Sequence, residues 1–277
     1  MRTTIKKEAE ISGTGLHTGN KCSVVFRPSQ VPGGLRFFCD GFKSPVKAGL
    51  DSVSGTLRGT SISDGVSTVH TVEHLLSAAF ALGIDDMDME ISGSEPPVCD
   101  GSALAFAEAL LKAGITEKEG PSVPAVKLGE PFEFRADRTF YRISPSAGSF
   151  SLRLTYEHPH KLIGRQTVDF TLSPENYLKY VAPARTFGFS YELEMLKAAG
   201  LAKGGSLDNA VVITEDEMLA KDGLRFPDEL ARHKLLDLLG DLALAGLRFE
   251  GLKLEAVRPG HTGNVNFARL LKQRCKL

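Results

Sequence analysis

The sequence predicts an α+β fold made of two loosely similar halves, and three observations carry this. Strand-like runs cluster apart from helix-like runs instead of alternating with them, which suits α+β layers and not a doubly wound sheet. A charged and then Gly/Pro-rich stretch, Thr116-Glu117-Lys118-Glu119-Gly120-Pro121-Ser122-Val123-Pro124, falls near the middle of the chain. On each side of it a histidine-bearing helical run follows a set of strands and precedes another strand. We read domains over 1–120 and 125–277, with a weak internal likeness that suggests duplication.

In the first half, Cys22-Ser23-Val24-Val25-Phe26 is β-rich and sits among Gly and Pro turns. Gly13, Gly15 and Gly19 read as turn glycines, since no helix signal follows them directly. A helix is predicted from Val69 to Leu82, with Ser67 and Thr68 as capping candidates and Gly83 as its stop. A strand over Met87–Ile91 and a helix over Ala103–Ala113, closed by Gly114, complete the half. In the second half, Phe132–Phe134, Phe140–Ile143 and Ser151–Tyr156 read as strands. Gly188–Ile213 breaks the pattern. It holds a helix-like stretch (Tyr191–Ala199), a turn with Gly200, Gly204 and Gly205, and a β-like run (Ala210–Ile213), so it reads as an inserted βαβ-like unit. A long helix is predicted over Pro227–Ala245, with Pro at a tolerated first-turn position and Gly246 past its end. Leu252–Val257 is a strand and Val265–Leu271 a short last helix.

With 277 residues, 42% hydrophobic and 24% charged, the chain has the composition of an ordinary soluble globular protein. A formal net charge of −1 gives no nucleic-acid footprint and no basic membrane-binding surface. Cys22, Cys39, Cys99 and Cys275 are scattered, with no Cys-x-x-Cys pair. That argues against a thiolate zinc site and a disulfide framework, and for a reducing compartment. No run approaches the roughly 18 apolar residues that span a bilayer, and the N-terminus lacks the apolar core of a signal peptide. A cytoplasmic protein is expected.

His233 and Asp237 are four residues apart, so on a helix both point from one face. Leu235, Leu236, Leu238, Leu239 and Leu242 cover most of the rest of that helix, which implies burial. A buried imidazole and carboxylate need partners, and Asp241 extends their stripe while Lys234 sits one residue off it. The first half offers His70-Thr71-Val72-Glu73-His74. Two readings stand. Taken literally it is H-x-x-E-H, with His70 and His74 as zinc ligands and Glu73 as base. Alternatively His74 alone joins His233 and Asp237, making two His and one carboxylate around an open-sided zinc, with Glu73 as general base. Fe(II) also suits that set. His261, in Arg258-Pro259-Gly260-His261-Thr262-Gly263-Asn264, is read on a loop edge as a general acid whose pKa Asp241 would raise. Phe187 and Phe189 fit a core as well as a ligand wall. Asp100 with Ser102 reads as a turn and helix cap, since no His pairs with that Ser at a defined spacing.

These residues resemble, in order, the UDP-3-O-acyl-N-acetylglucosamine deacetylase family. The likeness runs nearly the whole length, through Ser12-Gly13-Thr14-Gly15-Leu16-His17-Thr18-Gly19, Thr71-Val72-Glu73-His74-Leu75 and Glu95-Pro96-Pro97-Val98-Cys99-Asp100-Gly101-Ser102-Ala103. It continues in Ala184-Arg185-Thr186-Phe187-Gly188-Phe189, Gly204-Gly205-Ser206, Asp222-Gly223-Leu224-Arg225-Phe226, Arg232-His233-Lys234-Leu235-Leu236-Asp237 and Gly260-His261. The resemblance implies two similar β-α-α-β domains with helices between two outer sheets. Each would carry a small insert, the second at 188–213 forming an apolar passage for an acyl chain. It implies Zn2+ on His74, His233 and Asp237, Glu73 as general base, and His261 protonating the leaving amine with Asp241 tuning it. Thr186 and Lys234 would meet the reacting centre, Tyr156 would take the place of a Phe against the uracil, Phe187 would contact substrate and Arg258 would lie near the diphosphate. The expected partner is an acylated UDP-amino sugar, hydrolysed in lipid A biosynthesis by a cytoplasmic monomer of a Gram-negative type of bacterium.

Overall fold

In the computed structural model, residues 1–39 and 44–275 are described. The first half contributes β1 (Arg2–Ile5), β2 (Ala9–Thr14), β3 (Lys21–Pro28), β4 (Leu35–Cys39), β5 (Val46–Lys47), β6 (Val53–Gly55), β7 (Ser61–Ser63), β8 (Thr68–Val69), α1 (Glu73–Ala81), β9 (Met87–Ser92), α2 (Leu104–Ala113) and β10 (Ile115–Lys118). The second contributes β11 (Phe132–Ala136), β12 (Thr139–Ser149), β13 (Ser151–His158), β14 (Gly164–Thr171), α3 (Pro174–Tyr180), β15 (Phe187–Phe189), α4 (Leu193–Ala198), β16 (Val211–Ile213), β17 (Met218–Leu219), α5 (Glu229–Ala243), β18 (Glu250–Val257) and α6 (His261–Arg274). The fold is mixed α+β.

Two five-stranded sheets share one plan. Their strand orders are β2-β3-β9-β4-β5 and β11-β12-β18-β13-β14. In each, the fourth strand pairs parallel with the central one, Leu35↔Met87 in the first and Ser151↔Lys253 in the second, while the other neighbours pair antiparallel. Each half also places a small three-stranded sheet ahead of its histidine-bearing helix: β6-β7-β8 before α1, and β15-β16-β17 before α5. In the second of these, β15 and β16 run parallel (Phe187↔Val211) with α4 between them in sequence.

Helices α1 and α5 pack on each other. Leu75 and Leu76 of α1 and Leu235, Leu236, Leu238, Leu239 and Leu242 of α5 have no exposed surface. Each such side chain contributes roughly 1.5–3 kcal/mol on leaving water. That buried leucine coat is what the α5 sequence implied, and it forces Glu73, His74, His233 and Asp237 into a low-dielectric setting. Among the described residues, no helix is long and apolar enough to cross a membrane.

Three boundaries differ from the sequence reading. The helix expected from Val69 starts at Glu73, because Thr71 takes a left-handed φ of 55° and Thr68–Val69 pairs as a strand. Ser67 and Thr68 therefore cap nothing, and Val72 is the N-cap with no side-chain bond. The long helix is trimmed to Glu229–Ala243, with Asp228 and not Pro227 at its edge. The last helix begins four residues before Val265, at His261, with extended Gly260 as N-cap and Asn264 N–H donating to the Gly260 carbonyl. The polar run His-Thr-Gly-Asn carries no apolar period, which hid this first turn.

Candidate active site

Helices α1 and α5 each deliver part of one cluster. His74, His233 and Asp237 offer ligand atoms within 4.8 Å of one another, all three side chains being buried. Both imidazoles aim Nε2 at the same carboxylate oxygen: Asp237 Oδ1 lies 3.4 Å from His233 and 3.7 Å from His74. That oxygen is buried and, among the described residues, has no hydrogen-bond partner. An orphan carboxylate oxygen facing two imidazoles is the pattern a cation resolves. The other oxygen, Oδ2, accepts from Lys234 Nζ at 2.8 Å. His233 Nδ1 lies 3.1 Å from the Ala184 carbonyl. Since a carbonyl only accepts, Nδ1 carries the proton and Nε2 keeps a lone pair toward the cluster.

The charges agree with such a set. Burial, joined by the neighbouring His233, pushes His74 down to about 3, and burial also lowers His233, so both imidazoles are neutral at pH 7. Burial works to raise Asp237, but His233, Lys234, His261 and His74 together hold it well below the usual carboxylate range. Burial likewise disfavours the Lys234 ammonium, yet Asp237 raises it. Glu73, adjacent to His74, is raised to about 7 by burial and by the Asp237 and Asp241 carboxylates, against the pull of His261.

His261 opens α6 with Nε2 3.9 Å from Glu73 Oε1 and 3.8 Å from Asp237 Oδ2. Its Nδ1 lies 3.0 Å from Asp241 Oδ2. Burial would lower this imidazole, but Asp241 and Glu73 override it and raise it to about 9. Asp241 is itself held by Thr60 Oγ at 2.5 Å and by Asn264 Nδ2 at 2.8 Å, and Tyr141 donates to Asn264 at 2.6 Å. The cluster opens on a cavity of about 260 Å³ lined by Glu73, His74, Thr186, Lys234 and His261 on its polar side, and by Leu16, Tyr156, Phe187 and Phe189 on its apolar side.

A family description, UDP-3-O-acyl N-acetylglycosamine deacetylase, matches residues 2–273. The chain belongs to the LpxC family. A UDP-3-O-acyl-N-acetylglucosamine deacetylase from Thermodesulfovibrio yellowstonii is 40% identical over 273 residues, covering 98% of this chain and 91% of its own. One from Thioalkalivibrio sulfidiphilus is 40% identical over 271 residues, covering 97% and 88%. A bifunctional LpxC/FabZ enzyme of Chlorobaculum tepidum is 36% identical, with 98% of this chain matching 64% of that one.

Of the residues that the LpxC resemblance singled out, Glu73, His74, Tyr156, Thr186, Phe187, His233, Lys234, Asp237 and His261 all line the one cavity, and Asp241 stands directly behind His261. Phe187 packs edge-on against His233 at 5.9 Å, edge-on against Tyr156 at 5.6 Å, and lies 5.2 Å from Lys234 Nζ, so it is a wall of the site. Arg258 is not brought to the cavity; it pairs with Glu157 at 2.8 Å. His70 is exposed and binds Ser61, outside the helix and away from the cluster, which removes the literal H-x-x-E-H ligand pair. Thr60, Arg58, Thr71, Leu16 and Asn264 were missed as site residues. Leu16, Thr71 and Asn264 stood inside runs the sequence reading had singled out, beside His17, Glu73 and His261, whereas Thr60 and Arg58 had no local signal.

A larger cavity, about 490 Å³, opens where α1 and α5 end, near Gly83 and Gly246; the cluster does not line it.

Proposed function

We propose that this LpxC-family chain hydrolyses the N-acetyl group of UDP-3-O-acyl-N-acetylglucosamine, giving UDP-3-O-acyl-glucosamine and acetate, in lipid A biosynthesis. The observation that carries this reading is the meeting of His74, His233 and Asp237 beside Glu73 and His261, two helices supplying the donors and a third the imidazole. Two neutral imidazoles and one ionised carboxylate suit Zn2+, and Fe(II) as well. When bound there, such an ion supplies Lewis acidity to the acetyl carbonyl and to water.

The chain's own groups do the rest. Glu73 takes one proton from the attacking water as its oxygen bonds to the acetyl carbon. The Thr186 hydroxyl and the Lys234 ammonium, both on the cavity wall, face the oxyanion that forms; donors of this type contribute roughly 3–4 kcal/mol in other enzymes. His261, held protonated by Asp241, gives a proton to the sugar nitrogen as the C–N bond breaks. The acid so formed passes its remaining hydroxyl proton to the freed 2-amino group and leaves as acetate, and the proton on Glu73 makes up for the one His261 gave away. The apolar wall of Leu16, Phe187 and Phe189 offers the acyl chain a path, Tyr156 offers an aromatic face to the uracil, and Arg258 stands outside the cavity for the diphosphate.

The test is acetate release from the acylated sugar nucleotide by purified protein, read together with its metal content. Expected are one metal ion per chain and a release that stops on chelation and returns with zinc. A metal-loaded protein that releases no acetate refutes the reading.

A further inference from the structure

Thr60 stands where the two proton-transfer groups meet. It is fully buried and sits on the loop entering β7, behind the cavity wall. Its backbone N–H donates to Glu73 Oε2 at 2.9 Å. Its hydroxyl donates to Asp241 Oδ1 at 2.5 Å and lies 3.3 Å from His261 Nδ1. Among the described residues, that hydroxyl is the donor that serves Oδ1, because His261 and Asn264 both bind Oδ2. A single residue of the first half therefore touches Glu73 at the start of α1, Asp241 in α5 and His261 in α6.

The backbone around Thr60 is fixed from several sides. Its carbonyl accepts from Val72 N–H at 3.1 Å, stitching the loop onto the first turn of α1. Gly59 passes so near that a Cβ there would lie 3.0 Å from Glu73 Oε1. Arg58 takes a left-handed φ of 62° and forks onto Glu192 at 3.0 and 2.8 Å, tying the loop to the segment before α4. A strained non-glycine residue persists only where its surroundings over-determine it, and such residues gather at functional sites.

We propose that Thr60 is a positioning residue for the hydrolysis. It aims the Glu73 carboxylate through its N–H and, through Asp241, fixes the ring of His261, so that base and acid face the same substrate atoms. The inference rests on the roles given above to Glu73 and His261. A misplacement of about 1 Å in such a pair can cost on the order of 100-fold in rate.

The experiment compares Thr60→Val, which keeps shape and N–H but loses the hydroxyl, with Thr60→Ser, which keeps both donors. Measured for each are kcat, KM, metal content and thermal midpoint of the metal-loaded protein. Thr60→Val should lower kcat by about tenfold or more with KM and metal content near wild type, and Thr60→Ser should restore most of kcat. If Thr60→Val does not fold, Thr60→Cys, a weak donor of similar size, carries the same comparison. Wild-type kcat in the hydroxyl-less variant overturns the proposal. So does, in a variant that folds, a loss of activity matched by an equal loss of metal, or a Ser variant as slow as Val. Failure of the wild type to release acetate is a different result: it removes the assigned reaction and this inference with it.

Discussion

The α carbon of Gly240 lies against the backbone of Glu73, so close that a Cβ there would collide with the Glu73 carbonyl oxygen. This is where α5 crosses the start of α1. The close crossing brings the His74 and His233 rings edge to face, 5.0 Å between centroids. In an exposed helix Gly→Ala stabilises by about 1 kcal/mol. Here Gly240→Ala should instead destabilise by about 1–3 kcal/mol, as overpacking does, and weaken metal binding by spreading the ligands. Thermal unfolding and zinc titration check both.

Metal content tests the proposed ligands against their neighbour. His233→Ala and His74→Ala should each lose bound metal, while His70→Ala, altering an exposed side chain bound to Ser61, should keep it. Metal should also raise the unfolding midpoint of wild type, since a ligand at 100 times its Kd adds about 2.7 kcal/mol to stability. Loss of metal from His70→Ala would return the literal H-x-x-E-H ligand pair to consideration.

Activity should depend on pH through two groups in opposite states. Glu73, raised to about 7, must be ionised; His261, raised to about 9, must be protonated. The profile of kcat/KM should therefore rise through about 7 or below, because a bound cation draws the carboxyl down, and fall through about 9. Asp241→Asn removes the carboxylate that raises the imidazole against burial, so the falling limb should move down by about 1–2 pH units. An unmoved limb refutes the pairing.

The same linkage fixes the stability of metal-free protein. The His261 contribution is present below its ordinary 6.5 and is lost as pH rises through about 9. The His74 contribution has the opposite sign: present above 6.5, it is lost as pH falls through about 3. Denaturation midpoints across that range should form a dome, and His261→Ala should flatten its alkaline side.

Arg185 and Glu229 form a buried ion pair, 2.8 Å apart, and Arg185 also binds the Lys221 and Gly223 carbonyls. The pair anchors the residue next to Ala184, whose carbonyl orients His233. Arg185→Met leaves the Glu229 carboxylate buried without its cation and should cost about 3–5 kcal/mol. Chemical denaturation measures it.

Much of this site was legible because its chemistry is local in sequence. His233 and Asp237 share a helix face by spacing alone, and the leucines around them announce burial. What joins them to His74 is a helix crossing, and no spacing encodes that. Thr60 and Arg58 stayed hidden for a related reason: a threonine and an arginine in a turn look like any others until the chain folds them onto Glu73 and Glu192. His261 was visible as a residue but misplaced on a loop, because its helix begins with a polar turn that has no apolar rhythm.

Helix α4 has no buried residue along its six positions. Little free energy opposes its detachment, so its amides should exchange with deuterium well ahead of those in α1 or α5, and a protease should nick it first. On the function proposed above, an α4 that lifts without loosening the leucine interior would let the substrate's hydrocarbon tail come and go while His74, His233 and Asp237 stay in place.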